Sequence, residues 1–469
     1  MIILTKRIAI IGGGITGLAA ACQLERAVKA GAQLQYDLYE ASDRLGGKIR
    51  TEKRDGFVIE RGPDSFLARK QSMSRLAKEI GMEDELLAND TGQAYILKGS
   101  TLYPIPEGAV MGIPTQLKPF MQTGLLSLKG KLAVTKDLFL PPVTEPDEDL
   151  SVGHLFRKRL GDEVVDHLIE PLLSGIYAGD LDRLSLRATF PHFQKMEQEH
   201  RSLIKGLSQQ QAANKQTTSK KKTGMFLSFK QGLESFIKGI EAYLQSGTIY
   251  KGTHIKEVIK ADSGYLLQLE KQSKQYDAVI VATPAKVTAN LFANENLFSY
   301  LRNMKATSVA TVAMAFKEEN VNLPYEGTGF VVSKKGNHII TACTWTHKKW
   351  SHTAPKGYAL LRAYVGRPDD SQIVDQADDE IVKAALANLK TIVAIEGDPD
   401  FSYVTRWKEA MPQYEVGHSF KINKLMEDVQ KHYPGIFLAG GAYKGIGLPD
   451  CIDQGEVAAS EVLQFLNES

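Results

Sequence analysis

Apolar positions along the first forty residues change period twice. Residues 7–11 form a β-branched run that predicts a buried strand. Leu18, Ala21, Leu24 and Val28 then recur at helical spacing until Gly31 stops the helix, and residues 35–40 read as a second strand ending on the carboxylate of Glu40. A short strand at 57–60 runs into a turn at Gly62 and Pro63. From about 112 to 206 the period is helical: Ser151 is placed to N-cap a run with Val152, Leu155, Phe156 and Leu160, and Asp162 to cap a second with Val164, Leu168 and Leu172. Residues 207–224, rich in Gln, Thr, Ser and Lys, predict a mobile surface loop. Strand-like runs return at 248–250, 255–259, 265–269 and 276–284. Ala310, Val312, Met314 and Phe316 alternate along one strand face, with further strands at 338–345 and 360–365. The last strand begins at Ile436 and enters a glycine loop, after which Asp450 is expected to N-cap a helix from about Cys451.

The first strand, helix and second strand enclose a chemistry. Gly12, Gly14 and Gly17 have the G-x-G-x-x-G spacing at the point where strand must turn into helix. The first glycine allows the tight turn, the second lets a pyrophosphate approach the backbone, and the third lets helix and strand pack closely. The helix N-terminus then faces the phosphates, and Glu40 is placed to accept from a ribose hydroxyl. Such a triplet alone is weak, but strand, glycines, helix, strand and terminal acid in register describe a dinucleotide site.

Composition narrows the rest. The chain of 469 residues exceeds one ordinary core, so two or three domains are expected. Its 57 basic and 55 acidic residues leave a net charge of +2, which argues against nucleic acid as a partner. Cys22, Cys343 and Cys451 are widely spaced, indicating neither a disulfide framework nor a metal site and fitting a reducing cytoplasm. The uncharged run 8–24 contains four glycines, is short for a bilayer and is explained by the dinucleotide motif, so no transmembrane segment is expected; peripheral membrane contact stays open.

Beyond Glu40, the residues Arg44, Gly46, Gly47 and Lys48 continue the motif in a way that resembles the flavin-binding amine oxidase, phytoene desaturase and protoporphyrinogen oxidase superfamily. Several longer stretches resemble more closely the oxygen-dependent protoporphyrinogen/coproporphyrinogen oxidases of the soluble, Gram-positive type. These are residues 60–66, 170–180, 341–346, 361–366, 411–414 and 448–452, and the likeness covers nearly the whole chain. The resemblance implies non-covalent FAD, held by Gly12, Gly13, Gly14, Ile15, Thr16, Gly17, Glu40, Ala41, Lys48, Gly62, Pro63, Asp64, Ser65, Val258, Trp407, Ile446, Gly447 and Leu448. It also implies that Lys70, with Arg69 as the competing cation, meets substrate propionates, while Ile176 and Tyr364 pack on the macrocycle.

The activity implied is dehydrogenation of coproporphyrinogen III to coproporphyrin III in haem biosynthesis, with O2 as acceptor and H2O2 as product. Protoporphyrinogen IX is a second or alternative substrate, and the next enzyme of the haem route is a candidate partner. Flavin supplies the difficult step, so no catalytic side chain and no metal is expected. Two other classes share the scaffold, a flavin amine oxidase and a flavin-free binding protein of the GDP dissociation inhibitor type. The fold class expected is α/β (α+β overall): a Rossmann-like FAD-binding domain from 1–66, 225–290 and 405–469, an antiparallel-sheet substrate domain from 67–111 and 291–404, and a helical insertion at 112–206.

Overall fold

The computed structural model describes residues 5–145, 147–217, 225–294, 296–334 and 336–468. A five-stranded parallel sheet lies at the centre of the nucleotide-binding part, ordered Thr248–Tyr250, Leu34–Tyr39, Lys6–Ile11, Ala278–Val281 and Ile436–Leu438. The first strand shows why both faces are covered. Ile8 and Ile10 enter one apolar core with the helices Ile15–Lys29 and Leu448–Glu468, whereas Ala9 and Ile11 enter another beneath the three-stranded sheet of Glu257–Lys260, Tyr265–Gln268 and Ser273–Tyr276. The two helices pack closely because Gly455 carries no side chain: a Cβ there would stand 2.2 Å from the Thr16 carbonyl oxygen.

The second sheet has seven strands, in the order Phe401–Pro412, Ala306–Lys317, Tyr358–Val365, Ile340–Trp345, Gly329–Val332, Tyr95–Lys98 and Thr101–Pro104. It is not wholly antiparallel as expected, because Gly329–Val332 pairs with Tyr95–Lys98 in parallel. Two expected boundaries also move. The break at 405 falls inside the continuous strand Phe401–Pro412, every paired residue of which lies against Ala306–Lys317. The stretch after 67 first joins the nucleotide-binding part: Phe66–Leu67 pairs with Phe226–Phe229, and Met73, Leu76 and Ala77 of the helix Ser72–Glu79 enter its core.

The helical part has its own core, built from residues including Leu155, Phe156, Leu168, Leu173 and Phe193. Ser151 caps Val152–Leu160 as expected, its hydroxyl accepting from the His154 amide at 3.1 Å. Asp162 is not the next cap. Gly161, at φ +87°, occupies that position, and Asp162 starts the helical run as its first residue. Residues 207–217 are helix and not loop, as part of Leu203–Thr217. Leu203, Ile204 and Leu207 anchor that helix in the core, and its Gln, Ala and Lys residues are good helix formers despite their polarity. The remainder of the expected loop, 218–224, lies outside the described residues.

Candidate cofactor and substrate site

The first glycine turn is built as its spacing requires. Gly12 has φ +107°, and a Cβ on it would lie 2.6 Å from the Ala282 carbonyl oxygen, while a Cβ on Gly17 would lie 1.9 Å from the Gly12 carbonyl oxygen. Gly14 differs: its backbone is extended at φ −71°, and a Cβ there would meet no protein atom within 4 Å. Gly14 is also the N-cap of Ile15–Lys29, with no side-chain cap and no acidic residue in the first turn. A helix N-terminus left uncapped beside an open backbone approach is an anion cradle. The pyrophosphate of a dinucleotide fits it.

Glu40 sits where the second strand ends, and its carboxylate does two jobs. One oxygen accepts from the Gly13 amide at 2.7 Å, the other from the Ser42 amide and hydroxyl at 2.8 and 2.7 Å. The carboxylate therefore shapes the glycine turn as well as standing beside Ala41 at the expected ribose position. Residues 44–48 dock directly on the turn, since the Gly46 amide donates to the Gly13 carbonyl at 2.8 Å and Gly14 bridges Gly46. Arg44 organises this segment by donating to the carbonyls of Leu45, Ile49 and Gly47. Lys48 is solvent-accessible yet ringed by protein, so desolvation lowers its pKa; its ammonium donates to the Ala410 carbonyl on the strand Phe401–Pro412.

The turn at Gly62 joins this assembly from the other side. A Cβ on Gly62 would stand 1.8 Å from the Lys48 carbonyl oxygen and 3.4 Å from the Trp407 ring, and the Trp407 indole donates to the Arg61 carbonyl at 3.1 Å. The sequence-predicted residues Lys48, Gly62 and Trp407 are thus brought together. Pro63 follows, and Asp64 is tied to Ser65 at 2.7 Å and to Lys349 at 2.8 Å. Burial alone would raise the Asp64 carboxyl, but Lys349 and Arg362 hold it well below the usual carboxylate range. Glu60, two residues before the turn, behaves oppositely. Burial pushes its carboxyl up to about 8, although the Leu233 amide at 2.6 Å and the Thr51 hydroxyl at 3.0 Å favour its charged form.

The third segment, Ile446 and Gly447 leading into Leu448–Glu468, also faces this region, with one correction. The helix starts at Leu448, so Asp450 is inside its first turn and not its N-cap, and Cys451 lies within the helix. Pro449 near the first helical position is the signal for that earlier start. The Tyr414 hydroxyl holds the loop by donating to the Gly441 carbonyl at 2.9 Å and accepting from the Gly445 amide at 3.0 Å. Cys451 is buried, and burial pushes its thiol up to about 11, which keeps it a poor nucleophile.

Of the predicted substrate residues, Lys70 and Ile176 fall beside the same loop, and Tyr364 lies on the seven-stranded sheet. Lys70 is half-buried and paired with Asp450, its ammonium 2.5 and 2.6 Å from the two carboxylate oxygens. Tyr177 lies close enough to Asp450 for that charge to add to burial in raising its phenol, and its ring is 5.8 Å from that of Tyr414. Ile176, beside Tyr177, is 40% exposed, a large value for an isoleucine within a helix that otherwise faces core. Arg69 is exposed, with His192 close enough that burial, helped by the Arg69 charge, lowers the imidazole to about 4. Tyr364 stands on the same strand as Arg362, two residues on, with the guanidinium 5.1 Å from its ring centroid. Val258 is the outlying member: its side chain is buried in the core with Ile11 and Tyr39, and its amide donates to Leu291 at 2.7 Å. Arg362 and Tyr414 were not singled out from the sequence, and Asp450 was expected only as a helix cap and not as the partner of Lys70. The signal for Arg362 was available, a charge in the otherwise apolar strand Tyr358–Val365.

A parallel sheet with an anion cradle at its first glycine turn and a second glycine segment locked onto it define a dinucleotide-binding protein. The family model for flavin containing amine oxidoreductase matches residues 15–463. The chain is 49% identical to a coproporphyrinogen III oxidase of Bacillus subtilis (strain 168), with 98% of each chain covered. It is 43% identical to a coproporphyrinogen III oxidase of Staphylococcus aureus (strain NCTC 8325 / PS 47), covering 99% of this chain and 100% of the other. A crystal structure from Exiguobacterium sp. 255-15 superposes with a TM-score of 0.89 at 41% identity, over 99% of both chains. The chain belongs to the flavin-containing amine oxidoreductase family, and its cofactor is FAD.

Proposed function

We propose that this chain is an FAD-dependent oxidase that dehydrogenates coproporphyrinogen III to coproporphyrin III, with O2 as acceptor and H2O2 as product. The observation that carries the reading is the convergence on one region of the Gly12–Gly17 cradle, Lys48, the Gly62 turn and the Ile446–Leu448 loop, with Lys70, Ile176 and Tyr177 beside that loop. Bound FAD supplies the two-electron acceptor for a hydride leaving the macrocycle. The protein's own work is binding, orientation and exclusion of water. Ile15 and Thr16 offer helix N-terminal amides to the phosphates, and Glu40 fixes the turn that presents them. Ile176 and Tyr364 give the macrocycle apolar and aromatic faces, while Lys70 and the exposed Arg69 give its propionates cations. Asp450 already occupies Lys70, so a propionate at Lys70 must compete with a carboxylate, whereas no carboxylate among the described residues is paired with Arg69. No covalent flavin link is proposed, because Cys451 is buried within the helix.

Among the described residues no helix is long and apolar enough to cross a membrane and no metal-binding cluster occurs. The test is turnover by the purified yellow protein in air, with coproporphyrinogen III and protoporphyrinogen IX supplied separately and porphyrin fluorescence followed. Preference for coproporphyrinogen III supports the proposal. Preference for protoporphyrinogen IX replaces the substrate, and turnover of neither removes the reading.

A further inference from the structure

Adjoining the Gly62 turn is a cavity of about 10 Å³, lined by residues that include Glu60, Asp64, Thr346, Trp350, His352 and Arg362. That volume matches one water molecule. Three of its lining side chains carry polar atoms with no hydrogen-bond partner: the Thr346 hydroxyl, the Trp350 indole nitrogen and Arg362 Nε. The three residues are only 6, 2 and 4% exposed, so bulk solvent does not reach these groups. The chemistry of the wall selects the occupant. A cation would face two N–H donors, an anion would face the carboxyls of Asp64 and Glu60, and an apolar guest would leave every group unpaired. Water is the small molecule with both functions this wall asks for, since it accepts from N–H groups such as Arg362 Nε and Trp350 Nε1 and donates to hydroxyl and carboxyl oxygens.

Arg362 links this chamber to the site. Its Nη2 donates to the Gly62 carbonyl, and its strand is held in register by Ala313 on one side and Thr344 on the other. Asp64, at the far end of the same turn, is fixed by Lys349. We propose that the cavity seats one structural water and that, anchored through it, Arg362 is a positioning residue that holds the Gly62 carbonyl, and with it the 62–65 turn, in place against the flavin. This deepens the reading of that turn as flavin-facing and rests on it.

A crystal structure of the holoenzyme gives the first test. Density for one water within hydrogen-bond distance of Arg362 Nε and the Thr346 hydroxyl is the expected result, and a cavity without such density overturns the proposal. The second test uses Arg362→Lys and Thr346→Val holoenzymes, with Thr346→Ser as the conservative rescue. The two disruptive variants are expected to shift the flavin absorption bands and midpoint potential and to bind FAD about tenfold more weakly, with Thr346→Ser restoring wild-type values. A lowered melting temperature with an unchanged flavin spectrum and potential would show a merely structural contact and overturn the positioning role. A wild-type protein without flavin would instead remove the underlying reading of the turn.

Discussion

Gly14→Ala separates folding from cofactor binding at a single methyl group. The backbone there is extended and open to any residue, and the added Cβ meets no protein atom within 4 Å. Restricting the unfolded chain stabilises the protein by roughly 0.4–1 kcal/mol, and replacing glycine by the poorer N-cap alanine costs about 0.5–1 kcal/mol, so the two nearly cancel. The apoprotein should therefore melt where the wild type melts. The same methyl group stands where a pyrophosphate must approach the backbone, and each charge-assisted hydrogen bond lost is worth about 1.5–3 kcal/mol. FAD should bind about ten- to a hundredfold more weakly. Gly17→Ala is the contrast, because its Cβ falls 1.9 Å from the Gly12 carbonyl oxygen, roughly 1.5 Å inside an ordinary contact. That variant should lose melting temperature and FAD together. The assay is calorimetric titration of each apoprotein with FAD beside its thermal melt. Undiminished FAD affinity in Gly14→Ala, or a melt as depressed as that of Gly17→Ala, would refute the reasoning.

Three further outcomes follow from particular contacts. Lys70→Ala should raise KM for coproporphyrinogen III more than it changes kcat, and more than it raises KM for protoporphyrinogen IX, because it removes a cation and frees the Asp450 carboxylate to repel propionates; equal KM values would remove Lys70 from the substrate site. Arg159 is fully buried between Glu197 and Asp137, so Arg159→Met strands two carboxylates and should cost about 3–5 kcal/mol, read as early hydrogen exchange in the helical part. Glu60 holds its proton in the folded protein up to about 8, against an ordinary value of 4.5, so its contribution is fully present below pH 4.5 and is lost as pH rises to about 8. Relative to Glu60→Gln, the wild type should lose denaturant stability across that window, and parallel pH profiles for the two proteins would contradict the buried neutral carboxyl.

The glycine turn was legible because its cause is local. A strand that must bend into a helix under a phosphate needs glycine at fixed offsets, and Gly12, Gly14 and Gly17 occupy them with the contacts that spacing implies. Lys48 and Gly62 meet through the local hairpin of Thr51–Arg54 with Phe57–Glu60, whereas Trp407 was legible only by resemblance, since it reaches the Gly62 turn from a strand hundreds of residues away. What was hidden is non-local or balanced between weak preferences. The parallel pairing of Gly329–Val332 with Tyr95–Lys98 leaves no periodic trace in either segment. Residues 207–217 read as loop by polarity, yet the apolar anchors Leu203, Ile204 and Leu207 carry the helix through them. Lys70 reads as a free cation until the fold brings Asp450, far along the chain, to its ammonium.

The most direct test of the central claim compares initial rates in air, read as H2O2 release and, for the porphyrinogens, as porphyrin fluorescence, for the FAD-loaded protein with coproporphyrinogen III, protoporphyrinogen IX and a panel of primary and secondary amines. The account predicts flavin-dependent formation of coproporphyrin III with coproporphyrinogen III as the preferred substrate and H2O2 released alongside. Oxidation of an amine with no porphyrinogen turnover would contradict it.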